Sequence, residues 1–241
     1  MPKLSDFDVL TFDCYGTLID WETGISAAIG PWLQRQGVSA TRAEILAAFA
    51  AAEAPQQEAT PEMPYPELLA RVHGAMAERF GVAPDADAAE AFGRSIEHWP
   101  AFPDSPDALA YMKRHYRLVI LSNVDRASFA HSNRKLGVAF DAVYTAEDIG
   151  SYKPDLRNFQ YLLARLAEQG IARERVLHTA ESLYHDHVPA KRLGLSTCWI
   201  HRRAGQSGHG ATRPPDVDVI PDFRYATLGE MAAAHRAELG G

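Results

Sequence analysis

Four apolar segments of strand length, each ending at a polar or charged group, constrain the fold of this chain more than any other feature. The groups that follow the last three are about thirty residues apart, the length of one β-α unit in a doubly wound sheet. A buried parallel strand forms a short, continuous apolar run because helices cover both of its faces. The pattern therefore predicts an α/β fold with a parallel sheet. The four segments are residues 9–12, 118–121, 142–145 and 176–180.

The polar groups at the carboxyl ends of these segments are the candidate functional residues. The carboxyl ends of parallel strands meet at one edge of a sheet, where open α/β sheets bind ligands, so we expect the groups to converge. An aspartate in such a crevice can act as a nucleophile and form a covalent ester. Taken singly, Asp13 could instead cap a turn, Lys153 could lie in a surface turn and Ser122 could cap a helix. The groups are Asp13, Ser122 with Asn123, Lys153, and the acidic pair Glu181 and Asp186.

The motifs around these groups resemble those of the haloacid dehalogenase superfamily, in the same order along the chain. They read DCYGTL from Asp13, SN from Ser122, SYKPD around Lys153 and ESLYHD from Glu181 to Asp186. The resemblance implies a Rossmann-like core with a parallel sheet and an inserted helical cap domain. We expect the core domain in residues 1–20 and 103–241, and the cap domain in residues 21–102.

Helical patterns without strong strand signals fill the expected cap. They cover residues 24–36, 43–53, 65–80 and 86–99, and a last helix is predicted at residues 227–239. Proline disfavours the helix interior, so we expect breaks at Pro55, Pro61, Pro64 and Pro84.

Composition excludes several classes of partner. The formal net charge is −7, and the basic residues form no stripe, so nucleic acid or an anionic membrane is not an expected partner. No apolar run reaches the length of a membrane span, and the start of the chain lacks a signal-peptide pattern. We expect a cytoplasmic protein that binds a small-molecule carboxylate, with a homodimer left open. Cys14 and Cys198 fit reduced core positions.

Tyr15 distinguishes the branches of the superfamily. Its phosphatases usually carry a second aspartate two residues after the nucleophile, to protonate the leaving oxygen. A phenol, with a reference pKa of about 10, replaces it poorly. The motif is similar to that of the L-2-haloacid dehalogenases. This implies that Asp13 displaces the C2 substituent of a short carboxylate, and that water then cleaves the aspartyl ester to give a 2-hydroxy acid. No cofactor is implied.

The resemblance also implies roles for individual residues. Lys153 would keep Asp13 ionised, and Asp186 would hold Lys153 or position the hydrolytic water. Trp21 could wall the pocket or simply pack between core and cap. Three histidines, at 178, 185 and 187, are expected to be ordinary hydrogen-bonded side chains and not metal ligands. The predicted substrate-binding residues are Tyr15, Thr17, Trp21, Gln56, Gln57, Ser122, Asn123, Glu181 and Ser182.

One departure from the dehalogenase pattern concerns the leaving group. That branch has a cap arginine near the halide, and residues 47–61 contain no arginine. Glu53, Gln56, Gln57 and Glu58 offer acceptors and negative charge, which suit an amine leaving group.

Several segments resemble the azetidine-2-carboxylate hydrolases of the same superfamily. The resemblance implies ring opening of L-azetidine-2-carboxylate to 4-amino-2-hydroxybutyrate. Three alternatives stay open: an (S)-2-haloacid dehalogenase, a catalytically silent binding protein, and a phosphatase that holds Mg²⁺ through Asp13, the Tyr15 carbonyl, Asp186 and Glu181. The similar segments are FDCYGTLIDWETGI, PQQ, WPAFPD, LSN, SYKP and HTAESLYHDH.

Overall fold

The computed structural model describes residues 2–240 and contains a parallel sheet of six strands in the order β3-β2-β1-β4-β5-β6. The predicted α/β fold with a parallel sheet is confirmed. Each of the four apolar segments forms or lies within a strand, and its side chains pack under helices. The strands are β1 (Val9–Phe12), β2 (Arg117–Ser122), β3 (Ala142–Thr145), β4 (Val176–Ala180), β5 (Ser196–Ile200) and β6 (Phe223–Tyr225).

The central strand β1 fixes the position of the functional edge. Phe12 pairs with Ile120 of β2 on one side and with Thr179 of β4 on the other. These strands therefore end at nearly the same height, and the residues that follow them emerge at one edge of the sheet. Strand β3 extends the arrangement, because Thr145 pairs with Ser122 at the end of β2.

The chain between β1 and β2 includes residues 21–102, which we call the cap segment, following the predicted boundaries, and which contain four α-helices. They are α1 (Trp21–Arg35), α2 (Arg42–Ala59), α3 (Tyr65–Arg79) and α4 (Ala86–Arg94), followed by a short 3₁₀ turn (Ser95–His98). Phe49 of α2 packs edge to face on Trp21 at 5.5 Å and on Phe92 at 6.3 Å, so aromatic contacts join the helices to one another and to the base of the segment.

The predicted break at Pro55 is wrong, because α2 continues through it to Ala59. Pro55 removes one backbone donor, which leaves the carbonyl of Ala51 without its helical partner. Both residues are exposed, so water can satisfy that carbonyl. A capping box formed by Thr41 and Glu44 stabilises the N-terminus of α2.

The remaining helices cover the two faces of the sheet. They are α5 (Ser105–Met112), α6 (Arg126–Leu136), α7 (Ala146–Ile149), α8 (Leu156–Glu168), α9 (Val188–Arg192) and α10 (Leu228–Gly240). A π-helical turn, Leu183–His187, joins β4 to α9. Across residues 2–240, no helix combines the length and the apolar character that a membrane crossing requires.

Candidate active site

Asp13 lies at the carboxyl end of β1, where the strand changes into a tight turn. Its backbone N–H donates to the carbonyl of Thr179, 3.1 Å away, and so continues the pairing with β4. The turn closes on the carbonyl of Cys14, which accepts from the N–H of Leu18 at 2.7 Å. Gly16 has φ +91°, and a Cβ there would lie 3.0 Å from the indole nitrogen of Trp21. Glycine thus lets the turn hold the Asp13 carboxylate at the sheet edge.

The ammonium group of Lys153 forms hydrogen bonds with two acidic side chains and with a backbone carbonyl near the end of β2. Its Nζ donates to Asp13 Oδ1 at 2.9 Å, to Asp186 Oδ1 at 2.7 Å and to the carbonyl of Leu121 at 3.0 Å. These three bonds use every N–H of the ammonium group. Burial alone would lower the pKa of Lys153, but the two carboxylates outweigh it and raise the pKa, which favours the ammonium form.

Thr17 holds the second oxygen of Asp13. Its hydroxyl donates to Asp13 Oδ2 at 2.6 Å and accepts from the backbone N–H of Glu181 at 2.9 Å. Burial, with the charge of Asp186, raises the pKa of Asp13, while Lys153 and Thr17 act in the opposite direction. The carboxyl group of Asp13 is thus desolvated, and both of its oxygens are fixed in place.

Asp186 is the second acid at the sheet edge. Burial would raise its pKa, but Lys153 and His178 outweigh burial and lower it, so Asp186 is ionised. His178 Nε2 lies 2.9 Å from Asp186 Oδ1, and its Nδ1 lies 2.8 Å from the hydroxyl of Thr11. Asp186 Oδ2 is buried and has no partner among residues 2–240. One oxygen therefore anchors Lys153, and the other is available to a ligand or a water molecule.

The phenol of Tyr15 is tied to α6. Its hydroxyl donates to the carbonyl of Ser128 at 3.3 Å and lies 2.8 Å from the hydroxyl of Ser132. Burial raises the pKa of Tyr15 well above its ordinary value. The ring lines the cavity, but the hydroxyl is not placed to exchange a proton with a substrate.

Ser122 and Asn123 follow β2 side by side, with different surroundings. The Ser122 hydroxyl is buried and has no partner in the described part of the chain. The Asn123 side chain donates to the Lys153 carbonyl at 2.9 Å and accepts from the Lys153 N–H at 2.7 Å. Asn123 therefore positions the segment that carries Lys153, and one N–H of its amide remains free.

The cap segment supplies one wall of the site, from α1, α2 and α3. Its residues there are Trp21, Glu53, Gln57 and Tyr65. Trp21 and Gln57 were predicted from the sequence, whereas Glu53 was absent from the predicted binding residues and Tyr65 was not considered. Gln56 does not reach the site, because its amide donates to the hydroxyl of Thr60 at 2.9 Å. Because α2 continues to Ala59, Glu53 and Gln57 lie four residues apart on one face of the helix. This spacing is the sequence signal from which Glu53 could have been predicted.

These groups enclose a cavity of about 30 Å³. Space on this scale holds about two water molecules, so a substrate of several atoms would have to displace side chains of the wall. Asp13, Glu53 and Asp186 bring three carboxyl groups to the wall, and Lys153 brings an ammonium group. The lining residues are Asp13, Tyr15, Trp21, Glu53, Gln57, Tyr65, Asn123, Val124, Lys153, Ser182, His185, Asp186 and Thr212.

His185 is a neutral residue in this wall. Burial lowers its pKa to about 4. Ser182 Oγ accepts from the backbone N–H of His185 at 3.0 Å and lies 3.1 Å from its Nδ1. His185 Nε2 is buried without a partner among residues 2–240, so this nitrogen can form a hydrogen bond with a ligand.

Glu181 turns away from the cavity. Its carboxyl group accepts from the hydroxyl of Thr212 at 3.2 Å, and burial, with the charge of Glu22, raises its pKa to about 8. Asp186 is bonded to Lys153 and His178. Glu181 and Asp186 therefore do not combine with Asp13 as ligands of one metal ion. Within residues 2–240, no three His, Cys, Asp or Glu side chains are grouped to hold a metal ion. The acidic motif does not fit Mg²⁺ in this arrangement.

Comparison with known proteins gives one family and several relatives. A family model of haloacid dehalogenase-like hydrolases matches residues 7–179. An (S)-2-haloacid dehalogenase from Pseudomonas putida is 26% identical over 239 residues, covering 92% of this chain and 95% of the relative. A phosphoserine phosphatase from Thermus thermophilus is 28% identical over 211 residues, covering 85% of this chain and 78% of the relative. The crystal structure of a defluorinating L-2-haloacid dehalogenase shares the fold, with a TM-score of 0.76 and 21% identity. The match covers 98% of this chain and 99% of that protein.

Proposed function

The chain belongs to the haloacid dehalogenase-like hydrolases, in their L-2-haloacid dehalogenase-like branch, and we propose that it hydrolyses the bond between C2 and its substituent in a short 2-substituted carboxylate. One observation carries the proposal. Asp13 lines a cavity of small volume, and Lys153 and Thr17 each hold one of its oxygens. A desolvated carboxylate held in this way is suited to attack a saturated carbon.

The reaction proceeds in two steps. An oxygen of Asp13 forms a bond to C2 from the side opposite the leaving group, and the bond from C2 to the leaving group breaks with inversion. Water then attacks the carboxyl carbon of the aspartyl ester, which regenerates Asp13 and releases the 2-hydroxy acid. The unpartnered oxygen of Asp186 is buried in the cavity wall and would accept a hydrogen bond from this water.

The substrate carboxylate needs hydrogen-bond donors near Asp13. The unpartnered hydroxyl of Ser122 is buried next to Asn123 but does not line the cavity. Asn123 lines the cavity and has one uncommitted amide N–H, so it would hold the carboxylate at a fixed distance from the nucleophile. This arrangement would present C2 to Asp13.

Phosphate ester chemistry is disfavoured by the position of Tyr15. Phosphatases of this superfamily usually carry an acid two residues after the nucleophile, whereas here Tyr15 has that position and its hydroxyl is bonded to α6. Its raised pKa also makes it a poor proton donor at neutral pH. Displacement at carbon needs no such acid when the leaving group already carries a positive charge or departs as an anion.

The charges around the cavity favour an amine leaving group. A haloacid would add a carboxylate, and then a halide ion, to a wall that already holds three carboxyl groups and one ammonium group. The zwitterion of L-azetidine-2-carboxylate brings its own cation. Its strained ring contributes to bond breaking, and the nitrogen stays tethered to the product. We therefore infer ring opening to 4-amino-2-hydroxybutyrate, which the sequence resemblance also supports.

An (S)-2-haloacid dehalogenase is the second candidate. The observation that favours it is the Pseudomonas putida relative of that name, which aligns over 92% of this chain. The same two steps would apply, with a halide leaving C2. No arginine lies among the cavity-lining residues of the described chain, so this candidate lacks a cation for the halide.

A direct assay separates the candidates. The purified protein is incubated in EDTA with L-azetidine-2-carboxylate or with L-2-chloropropionate, and Asp13→Asn serves as the inactive control. We expect 4-amino-2-hydroxybutyrate from the first substrate, detected by mass spectrometry. Chloride release without ring opening would replace the amine proposal with the dehalogenase, and turnover of a phosphate ester only after Mg²⁺ is added would overturn both.

A further inference from the structure

Glu53 is a buried acid in the cap segment that the two steps above do not use. Its side chain is 3% exposed and lines the same cavity as Asp13. Glu53 Oε1 accepts from the Tyr65 hydroxyl at 2.8 Å and from Gln57 Nε2 at 3.1 Å. Within residues 2–240, both hydrogen bonds of the Glu53 carboxyl group go to Oε1 and none goes to Oε2. One oxygen is therefore fixed by the cap, and the other is free to meet a ligand.

The charge of Glu53 is not compensated by a neighbouring cation. Lys153, which supplies the ammonium group of the wall, donates its three N–H groups to Asp13, Asp186 and the Leu121 carbonyl. A buried carboxylate without a cation is costly and is normally paired. Glu53 is therefore placed to form an ion pair with a cationic group of a ligand.

The titration of Glu53 agrees with this geometry. Burial and, to a smaller extent, the charge of Asp13 raise its pKa to about 7, while the Tyr65 hydrogen bond acts in the opposite direction. Tyr65 on α3 and Tyr152 after α7 are the neighbouring titratable groups, and burial raises the pKa of both. Near neutral pH a bound cation can therefore shift Glu53 to its carboxylate form at a small free-energy cost.

We propose that the Glu53 carboxylate binds the ring ammonium of the substrate and determines the specificity for a nitrogen leaving group. The inference rests on the proposed function, because it concerns the same cavity and the same C2 displacement. It adds the residue that selects the leaving group. Tyr65 and Gln57 keep Glu53 in position for that contact.

The reaction explains why the nitrogen must stay protonated. A neutral ring nitrogen would depart as an amide anion, whereas an ammonium nitrogen departs as a neutral amine. When the bond between Asp13 and C2 forms, the electron pair of the C2–N bond passes to nitrogen, which becomes a primary amine and takes a proton from water on release. In a desolvated cavity beside Lys153 the ammonium would tend to lose its proton, and the Glu53 carboxylate opposes that loss.

The test compares two ligands of the same ring size in the Asp13→Asn protein, which cannot form the ester. One is L-azetidine-2-carboxylate, and the other is cyclobutanecarboxylate, which has no nitrogen. Calorimetry should show tighter binding of the azetidine, by roughly ten- to a hundredfold, as for a hydrogen bond between charged groups. Adding Glu53→Gln should abolish this preference. Glu53→Asp should restore part of it, because it keeps the charge.

The matched control is Glu58→Gln, on the same helix but exposed and outside the cavity. It should leave the preference intact. An equal preference with and without Glu53→Gln, in proteins with wild-type thermal unfolding, would overturn the inference. So would an equal loss in Glu58→Gln.

The outcome is separable from that of the proposed function. If a Glu53-dependent preference is found and protein with Asp13 intact does not open the ring, the ammonium site stands and the ring-opening proposal fails. If that protein opens the ring and Glu53→Gln opens it equally fast, the function stands and the role of Glu53 fails.

Discussion

Lys153 Nζ lies 2.9 Å from Asp13 Oδ1, although 140 residues separate the two along the chain. The same ammonium group is 2.7 Å from Asp186 Oδ1. Because its third N–H goes to the Leu121 carbonyl, Lys153 keeps no donor for a substrate. We propose that Lys153 compensates the charge of two buried carboxylates at the edge of the sheet, one for attack on the substrate and one for the water.

Replacing Lys153 by methionine should destabilise the fold as well as abolish activity. The change leaves two buried carboxylates without their cation, and breaking a buried pair in this way costs about 3–5 kcal/mol. Urea denaturation at neutral pH measures the loss. The control is Lys113→Met, which removes a partly exposed ion pair with Asp141 and should cost about 1 kcal/mol or less. Equal stabilities of the two variants would contradict the account of Lys153.

A single turnover in water labelled with oxygen-18 should label the enzyme before it labels the product. With protein in excess over L-azetidine-2-carboxylate, the attacking water exchanges an oxygen into the Asp13 carboxylate, because hydrolysis occurs at the ester carbonyl. Mass spectrometry of the peptide that contains Asp13 detects the label. Heavy oxygen in the hydroxyl of the 2-hydroxy acid after the first turnover would instead indicate direct attack of water on C2.

Neighbouring glutamines on α2 should behave differently on substitution. Gln57→Ala removes a donor from Glu53 Oε1 inside the cavity, so we expect KM to rise by roughly tenfold, the value of a hydrogen bond to a charged group. Gln56→Ala removes a contact with Thr60 outside the cavity and should leave KM unchanged. Steady-state kinetics on both variants checks this, and a larger effect at Gln56 would show that α2 is rotated in solution.

The contrast between Gln56 and Gln57 also shows where sequence reasoning fails. The sheet and its functional edge are predictable, because each strand is one apolar run and the parallel order brings the ends of the runs together. The cap wall is not, because the face that a helix presents depends on where the helix ends. Pro55 indicates an end, but its exposed position on α2 lets the helix continue for one more turn.

The partners of a single polar side chain are harder still to predict. Ser182 and His185 lie three residues apart in a motif that the sequence analysis singled out, yet the π-helical turn that aligns the serine hydroxyl with Nδ1 has no sequence signal. Glu53 depends on Tyr65, which belongs to another helix. Such contacts follow from tertiary packing and not from local pattern.

Glu181 should make stability depend on pH above the acidic range. Its pKa is raised from 4.5 to about 8 by burial and by Glu22, so the folded protein keeps a proton that the unfolded chain releases. This contribution to the free energy of unfolding is complete below pH 4.5 and is lost as the pH rises through about 8. Gln is permanently neutral and keeps an acceptor for Thr212.

We therefore expect Glu181→Gln to match the wild type near pH 4.5 and to exceed it at pH 8, by on the order of 4 kcal/mol. Thermal unfolding across this range measures the difference. Glu78→Gln, at an exposed position of α3, is the control and should follow the wild-type profile throughout. If the profile of Glu181→Gln also runs parallel to the wild type, Glu181 is ionised in the folded protein and the contact with Thr212 does not retain its proton.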